Sequence, residues 1–262
     1  MPIAMQSPGE IRAAIRAGQL TRTTAGLAPD YVQANLAVLP KEQAYDFLLF
    51  CQRNPRACPL LEVTDVGSFE PARVAPGADL RTDIVQYRNY RHGEIADEVT
   101  DATRYWCDDL VAFLIGCSFT FEQAMVQAGV RLWHLEHGKA VAMWRTSIEC
   151  QAAGVFHGPL VVSMRPIRPA DLAKAVTASA RFPGAHGAPI HIGDPAAIGI
   201  SDVTKPHYGD AQHIEADDIP VFWACGVTPQ AAALASKPPF MITHSPGHMF
   251  VTDLPNSALA AL

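Results

Sequence analysis

The last hundred residues alternate between short apolar runs and amphipathic segments, and this alternation constrains the fold more than any other feature. It predicts, in chain order, a strand at 160–164, a helix at 169–181, strands at 188–192 and 221–225, a helix at 228–236 and a strand at 240–243. Strand–helix–strand order twice over, with short polar turns, is typical of α/β units. With 262 residues, 49% of them hydrophobic, the chain can bury the core that such units require.

Residues 1–156 have a less regular pattern. Ser7–Glu10 has the spacing of a capping box, which predicts a helix that ends by Gly18. The other predicted elements of this part are a helix at 41–53, a hairpin over 84–99 that turns at His92-Gly93, helices at 105–115 and 121–128, and paired strands at 130–135 and 140–145. No internal repeat is evident in the sequence.

The pattern of predicted strands and helices differs between 81–156 and the rest of the chain, and this difference leads to a prediction of domain organisation. We expect an α/β fold whose mixed-sheet main domain comprises 1–80 and 157–262. A smaller α+β two-layer domain, 81–156, is expected between these two segments. Because no low-complexity linker separates them, the two domains should share an interface.

Composition excludes several classes of protein. The net charge is −6 and no basic tract is present, so a nucleic-acid partner is not expected. The longest apolar run, 110–121, is too short to cross a membrane. The start of the chain has no signal-peptide pattern, and the six cysteines have no Cys-x-x-Cys spacing, so we expect a cytoplasmic protein with reduced thiols. A homo-oligomer remains open.

The richest polar loop is 186–195, which contains two histidines and a carboxylate between glycines and prolines. His191 could transfer protons, and Asp194 could orient it or simply cap the next helix. Asp202 follows shortly and is a candidate substrate-binding residue. A divalent metal held by His186, His191 and Asp194 is an open alternative, although no residue is assigned as a metal ligand and the cofactor stays unknown.

A second polar loop, 243–249, lies between two predicted strands. Its Pro246-Gly247 turn can bring His244 and His248 to one side, where they could act as acid and base. An ordinary turn that happens to contain histidines is the alternative.

A third candidate lies at 116–122, where one element ends at Gly116 and a helix begins. Free N–H groups at a helix start can bind a carboxylate, with Ser118 and Glu122 as further substrate-binding candidates. Cys117 could be a nucleophile if the helix dipole lowers its pKa. The alternative is a plain helix cap. Arg88 on the hairpin and Arg145 at a strand end could supply the positive charge for a carboxylate, or could simply be solvated.

Five segments resemble the D-glutamate cyclase family, a family of bacterial hydro-lyases: 116–122 (GCSFTFE), 158–166 (GPLVVSMRP), 186–195 (HGAPIHIGDP), 220–230 (PVFWACGVTPQ) and 242–249 (ITHSPGHM). The resemblance extends from about residue 24 to 253. It implies cyclisation of D-glutamate to 5-oxo-D-proline with release of water. Ser147 departs from the family pattern, in which Asn follows this Thr.

The sequence therefore predicts a carbon–oxygen lyase that eliminates water from a small carboxylate. The expected catalytic residues are His191, Asp194, His244, His248 and Cys117. The expected substrate-binding residues are Ser118, Glu122, Arg88, Arg145 and Asp202. The alternative is a non-catalytic protein that binds or senses a small carboxylate.

Overall fold

The computed structural model describes residues 7–261. Residues 1–6, on which the expected absence of a signal peptide partly rests, lie outside the described range. No helix within that range is both long enough and apolar enough to cross a bilayer.

The described residues form eleven strands and six α-helices, joined by loops and short 3-10 turns. The strands are β1 (Tyr31–Pro40), β2 (Leu60–Val63), β3 (Tyr87–Arg91), β4 (Glu94–Val99), β5 (Leu110–Gly116), β6 (Ala142–Glu149), β7 (Pro159–Ile167), β8 (His191–Ile192), β9 (Ile219–Ala224), β10 (Met241–His244) and β11 (Phe250–Pro255). The helices are α1 (Pro8–Arg16), α2 (Lys41–Arg53), α3 (Phe119–Gln127), α4 (Trp133–Glu136), α5 (Leu172–Ala180) and α6 (Thr228–Ser236).

The strands form two sheets, which confirms an α/β fold with a larger and a smaller sheet. The larger sheet has the order β2-β5-β1-β10-β3-β4, with β11 also paired to β1. The smaller sheet has the order β6-β7-β9-β8. Each strand pairing within residues 7–261 is antiparallel, so the main sheet differs from the mixed sheet that the sequence predicts.

The two sheets contain the same arrangement twice, although the sequence shows no repeat. Apart from the β3–β4 hairpin, which is inserted between β2 and β5, the order β1-α2-β2-β5-α3 in the first half of the chain matches β7-α5-β8-β9-α6 in the second. In space, β2-β5-β1 corresponds to β8-β9-β7. The strand that follows each half crosses to the other sheet: β6 pairs with β7, and β10 pairs with β1. Each half thus completes the sheet of the other.

The predicted smaller domain, 81–156, contributes strands to both sheets. It supplies β3, β4 and β5 to the larger sheet and β6 to the smaller one. The proposed domain boundaries stay a prediction.

Most predicted elements are confirmed, including the capping box at Ser7 and Glu10 and the hairpin of β3 and β4. The helix predicted at 105–115 is wrong, because this segment contains β5. That strand lies between β1 and β2 and is buried throughout, so its unbroken apolar run has no alternation to distinguish it from a helix. The strand predicted at 130–135 is also wrong: α4 begins at Trp133, and β6 pairs with β7 instead. Val130 and Leu132 are apolar because they pack in a core cluster with residues of α3 and α5.

The largest hydrophobic cluster takes side chains from both sheets, including Phe113 of β5, Trp144 of β6 and Phe222 of β9, together with Phe47 of α2. A second cluster includes side chains of β1 and β5, and a third lies between β9, α3 and α5. The shared cluster holds the two sheets against each other, so the starts of α3 and α6 are fixed with respect to one another.

Candidate active site

The strands β5 and β9 each run into a helix through the same local sequence, Cys-x-x-Thr. In the first half this is Cys117 to Thr120, and in the second half Cys225 to Thr228. Each threonine N–H donates to the carbonyl of its cysteine, at 3.1 and 3.0 Å respectively. The repeated turn therefore starts both helices directly after a buried strand. Such helix starts carry N–H groups without intrahelical partners.

Asn35 of β1 brings these two helix starts together. Its Nδ2 donates to the carbonyl oxygens of Ile115 and Gly116, at 3.2 and 2.8 Å, just before α3. On the other side, a Cβ atom built on Gly226 would lie 1.9 Å from the same Nδ2. One buried amide thus contacts both loops, and Gly226 has no room for a side chain.

Both cysteines of the repeated turn are buried thiols. Burial raises the pKa of Cys117, which Cys225 raises further, and burial raises the pKa of Cys225 to about 11. Both groups are therefore protonated at neutral pH. Cys117 needs a lowered pKa to act as a nucleophile, and its surroundings do the opposite.

His244 ends β10 beside β1 and is 1% exposed. Its Nδ1 lies 3.1 Å from the N–H nitrogen of Leu36 and 3.4 Å from the carbonyl oxygen of that residue. The nearer contact is a donor, and on that basis we assign the proton of the neutral ring to Nε2. Within residues 7–261 this buried Nε2 has no partner, and neither does the hydroxyl of Ser245. Burial lowers the pKa of His244 to about 4, so the ring is a neutral hydrogen-bond donor at pH 7.

Gln230, in the first turn of α6, links His244 to the β3 strand. Its Nε2 donates to the main-chain carbonyl of His244 at 2.8 Å. Its Oε1 accepts from Arg88 Nη1 and from the hydroxyl of Tyr90, both at 3.4 Å. Arg88 and Tyr90 therefore share one face of β3, as the alternation predicts.

His248 has the opposite tautomer. It follows the Pro246-Gly247 turn, is half-buried, and its Nδ1 lies 3.2 Å from the carbonyl oxygen of Pro246. Because a carbonyl can only accept, Nδ1 carries the proton and Nε2 keeps a free lone pair. Burial lowers the pKa of His248, so this lone pair is present at neutral pH. The two histidines of this loop thus form a neutral donor and a neutral base.

Tyr208, which forms a bridge with Met143 of β6, lies close enough to the guanidinium groups of Arg145 and Arg88 for their charges to affect it. Burial raises the pKa of Tyr208, whereas the charges of Arg145 and Arg88 lower it. Arg88 forms an ion pair with Glu98, while the exposed Arg145 side chain has no hydrogen bond or ion pair within the described residues. Arg145 is thus available to an anionic ligand.

A buried ionic cluster lies behind Cys117. Glu122 Oε1 accepts from Arg165 Nε and His134 Nε2, both at 3.0 Å, and Arg165 Nη2 donates to the Ser118 hydroxyl at 2.9 Å. Burial alone would raise the pKa of Glu122, but His134 and Arg165 outweigh it and lower the pKa to about 2. Glu122 is therefore an ionised partner of Arg165, which no sequence pattern singled out.

The hydrogen bonds of His191, Asp194 and Asp202 within residues 7–261 are local and do not involve the histidines or arginines described above. His191 Nε2 lies 2.7 Å from the main-chain oxygen of Asp194, whose carboxylate instead caps the 3-10 turn that follows. The Asp202 carboxylate accepts from the N–H and hydroxyl of Thr204. All three have local structural partners, and their functional role stays a prediction.

The metal alternative finds no support in the placement of its residues. His186 is buried and its Nδ1 lies 2.7 Å from the Arg56 carbonyl. Among residues 7–261, no three His, Cys, Asp or Glu side chains are grouped so that they could hold a metal ion.

Sequence reasoning missed Asn35, Cys225, Gln230 and Arg165. The pattern Cys-x-x-Thr followed two residues later by Glu122 or Gln230, each time after an apolar run, is a signal that could have revealed Cys225 and Gln230. Asn35 and Arg165 have no such signal, because only the fold brings them to the site.

The buried groups predict how stability depends on pH. His186 and His244 have pKa values lowered from 6.5 to about 4, so the unfolded chain binds more protons and stability is lost as the pH falls from 6.5 towards 4. Glu122, lowered from 4.5 to about 2, extends this loss to lower pH. Cys117 has a raised pKa, so stability also declines as the pH rises past 9, where the unfolded thiol ionises. We expect the highest Tm between pH 6.5 and 9.

Thermal unfolding followed by circular dichroism from pH 3 to pH 10 checks this profile. The exposed His213 provides a control, since His213→Gln should follow the wild-type curve. A Tm that is unchanged between pH 7 and pH 4.5 would contradict the burial of neutral histidines.

Comparison with known proteins shows which family the chain resembles along most of its length. A family model described as D-glutamate cyclase matches residues 111–253. A protein of Thermoanaerobacter sp. (strain X514) is 60% identical, over 97% of this chain and 96% of its own length. A protein of Stutzerimonas stutzeri (strain A1501) is 55% identical (98% and 97%), and YcsI of Bacillus subtilis (strain 168) is 54% identical (98% and 100%). All three carry the name "Putative hydro-lyase". The chain therefore belongs to the D-glutamate cyclase family.

Proposed function

We propose that this protein eliminates water from a small amino dicarboxylate and that its substrate is D-glutamate, which it cyclises to 5-oxo-D-proline. Membership of the family, whose curated relatives are named as hydro-lyases, places the chain among the carbon–oxygen lyases. The observation that supports the proposal is the pair of neutral histidines with opposite tautomers, His248 and His244. Burial and, to a smaller extent, the Arg88 charge lower the pKa of both rings, and Tyr208 lies near the guanidinium groups of Arg88 and Arg145.

The reaction needs a base for the amine and a donor for the carboxyl group. His248 Nε2 takes a proton from the α-ammonium group, and the freed amine attacks the γ-carboxyl carbon. The Nε2–H of His244 donates to an oxygen of that carboxyl group and stabilises the charge that develops there. A neutral imidazole suits this role because its Nε2–H group donates a hydrogen bond to the carboxyl oxygen while the ring keeps its proton.

Cyclisation of D-glutamate changes two bonds and releases one molecule of water. One C–N bond forms and one C–O bond breaks, while two protons leave the nitrogen and depart with the released oxygen as water. His248 carries the first of these protons from nitrogen to oxygen. The α-carboxylate is unchanged and needs a positive partner throughout, a role that suits Arg145 and Arg88.

Incubating the purified protein with D-glutamate and measuring 5-oxoproline tests the proposal. We expect product at catalytic enzyme concentrations, a slower reaction with L-glutamate, and a large loss of rate for His248→Gln. His213→Gln is the matched control, because it changes an exposed histidine that is not part of the pair His244 and His248. No product from either enantiomer would overturn the substrate assignment, and binding without product would favour a carboxylate-binding protein.

A further inference from the structure

Arg165 is fully buried and held from several directions. Its Nη1 donates to the Ser163 hydroxyl and its Nη2 to the Ser118 hydroxyl, both at 2.9 Å, and its Nε donates to Glu122 Oε1 at 3.0 Å. The guanidinium carbon lies 5.3 Å from the ring centres of both Phe121 and Trp223. The group therefore has one well-defined position.

Stability alone does not explain this arrangement. Removing two charges from water is costly, and apolar side chains of similar volume often stabilise a core as well as a buried ion pair does. Arg165 belongs to β7 in the smaller sheet, whereas Ser118 precedes α3, which follows the larger sheet. The contact thus connects the smaller sheet to the start of α3, the same region that Asn35 joins to the loop before α6.

The direction of the Ser118 hydroxyl hydrogen follows from chemistry. A guanidinium group has donors only, so the Ser118 oxygen accepts and its hydrogen must point away from Arg165. The described residues 7–261 contain no hydrogen-bond acceptor for that hydrogen, and Ser118 itself is 3% exposed. Ser118 directly follows Cys117 and the Gly116 carbonyl that Asn35 binds. A buried donor without a partner thus lies at the meeting point of the two helix starts.

We infer that Arg165 is a positioning residue that orients the Ser118 hydroxyl as a donor to one carboxylate of the substrate. This inference rests on the proposed function. Glu122 neutralises the guanidinium charge, so the interaction offered to the substrate is a directed hydrogen bond and not a second full positive charge. Hydrogen bonds to charged groups are among the stronger ones, so their loss should weaken binding clearly.

A double-mutant cycle between Ser118 and Arg165 tests the inference. We expect Ser118→Ala to raise KM for D-glutamate about tenfold or more with a smaller change in kcat. Arg165→Lys keeps the charge beside Glu122 but loses the planar guanidinium group with its N–H donors in fixed directions. It should therefore raise KM to a similar extent. In the Ser118→Ala background, Arg165→Lys should have little further effect on KM. Independent, multiplicative effects on KM would overturn the inference.

Ser163→Ala is the matched control, because it removes a hydrogen bond of equal length from the same guanidinium. It should lower Tm without raising KM. If Arg165→Lys does not fold, Ser118→Thr decides the matter: it keeps the hydroxyl and should retain a KM near that of the wild type. Equal KM values for Ser118→Ala and Ser118→Thr would contradict donation by this hydroxyl.

Calorimetric binding of glutarate, a dicarboxylate that cannot cyclise, separates this inference from the proposed function. If the wild type forms no 5-oxoproline but binds glutarate, and Ser118→Ala weakens that binding, the positioning role stands and the cyclisation does not. Normal cyclisation together with unchanged glutarate affinity in Ser118→Ala would overturn the positioning role alone. Failure of the wild type in both assays would overturn both.

Discussion

Replacing Glu122 with alanine should lower the free energy of unfolding by about 3–5 kcal/mol, because it leaves the Arg165 guanidinium charged, buried and without its counter-ion. Arg165 is 0% exposed and cannot reach water without breaking its contacts with Ser118 and Ser163. Urea unfolding followed by tryptophan fluorescence measures the change, since Trp223 packs beside the guanidinium.

The double variant Glu122→Leu with Arg165→Met is the control for this prediction. It removes both charges, and we expect it to recover most of the lost stability, because well-packed apolar side chains can replace a buried ion pair. Glu122→Ala with a loss below about 1 kcal/mol, the range typical of exposed pairs, would contradict the assignment of a buried ion pair.

The second large effect is expected on catalysis. His244→Asn places an amide oxygen where Nδ1 accepts from the Leu36 N–H, but it removes the donor at Nε2. Loss of one donor that stabilises developing negative charge costs about 10²–10³-fold in kcat. We therefore expect His244→Asn to fold with a Tm near that of the wild type and to lose activity by that factor. Steady-state 5-oxoproline formation and thermal unfolding measure the two properties.

His244→Gln is the informative comparison, because its amide nitrogen reaches towards the position of Nε2. It should retain more activity than His244→Asn even if its Tm is lower. The reverse order of activity would mean that the Nδ1 side of the ring matters more than the Nε2 donor. The role assigned to His244 under the proposed function would then be wrong.

The sequence predicts the second half of the fold well, because α5, α6 and their flanking strands have clear periodicity and short turns. It does not predict β1, where Gln33 and Asn35 alternate with apolar residues only as far as Leu36 and a continuous apolar run follows. Strand β5 resembles a helix because it is apolar along its whole length. Central strands covered on both faces are uniformly apolar, so their pattern does not identify them.

The candidate site could be predicted only where its residues share a loop. His244 and His248 lie in one short turn, and Cys117, Ser118 and Glu122 lie at one helix start, so local sequence indicates them. Arg165 reaches Ser118 and Glu122 across sequence separations of 47 and 43 residues, which no local pattern can reveal. The loop at His191 and Asp194, which local sequence also indicates, lies at the edge of the smaller sheet, where Asp194 caps a turn. Its functional role stays a prediction.

The exchange of β6 and β10 between the sheets bears on how the chain folds during its synthesis. Strand β1 pairs on one side with β5, but its other side pairs with β10 and β11, which are translated only after β6, β7 and β9. Until then β1 presents an unpaired edge, the kind of surface on which partly made chains associate wrongly. Neither half can complete its sheet by itself, so the larger sheet closes only after β10 and β11 of the second half have been translated.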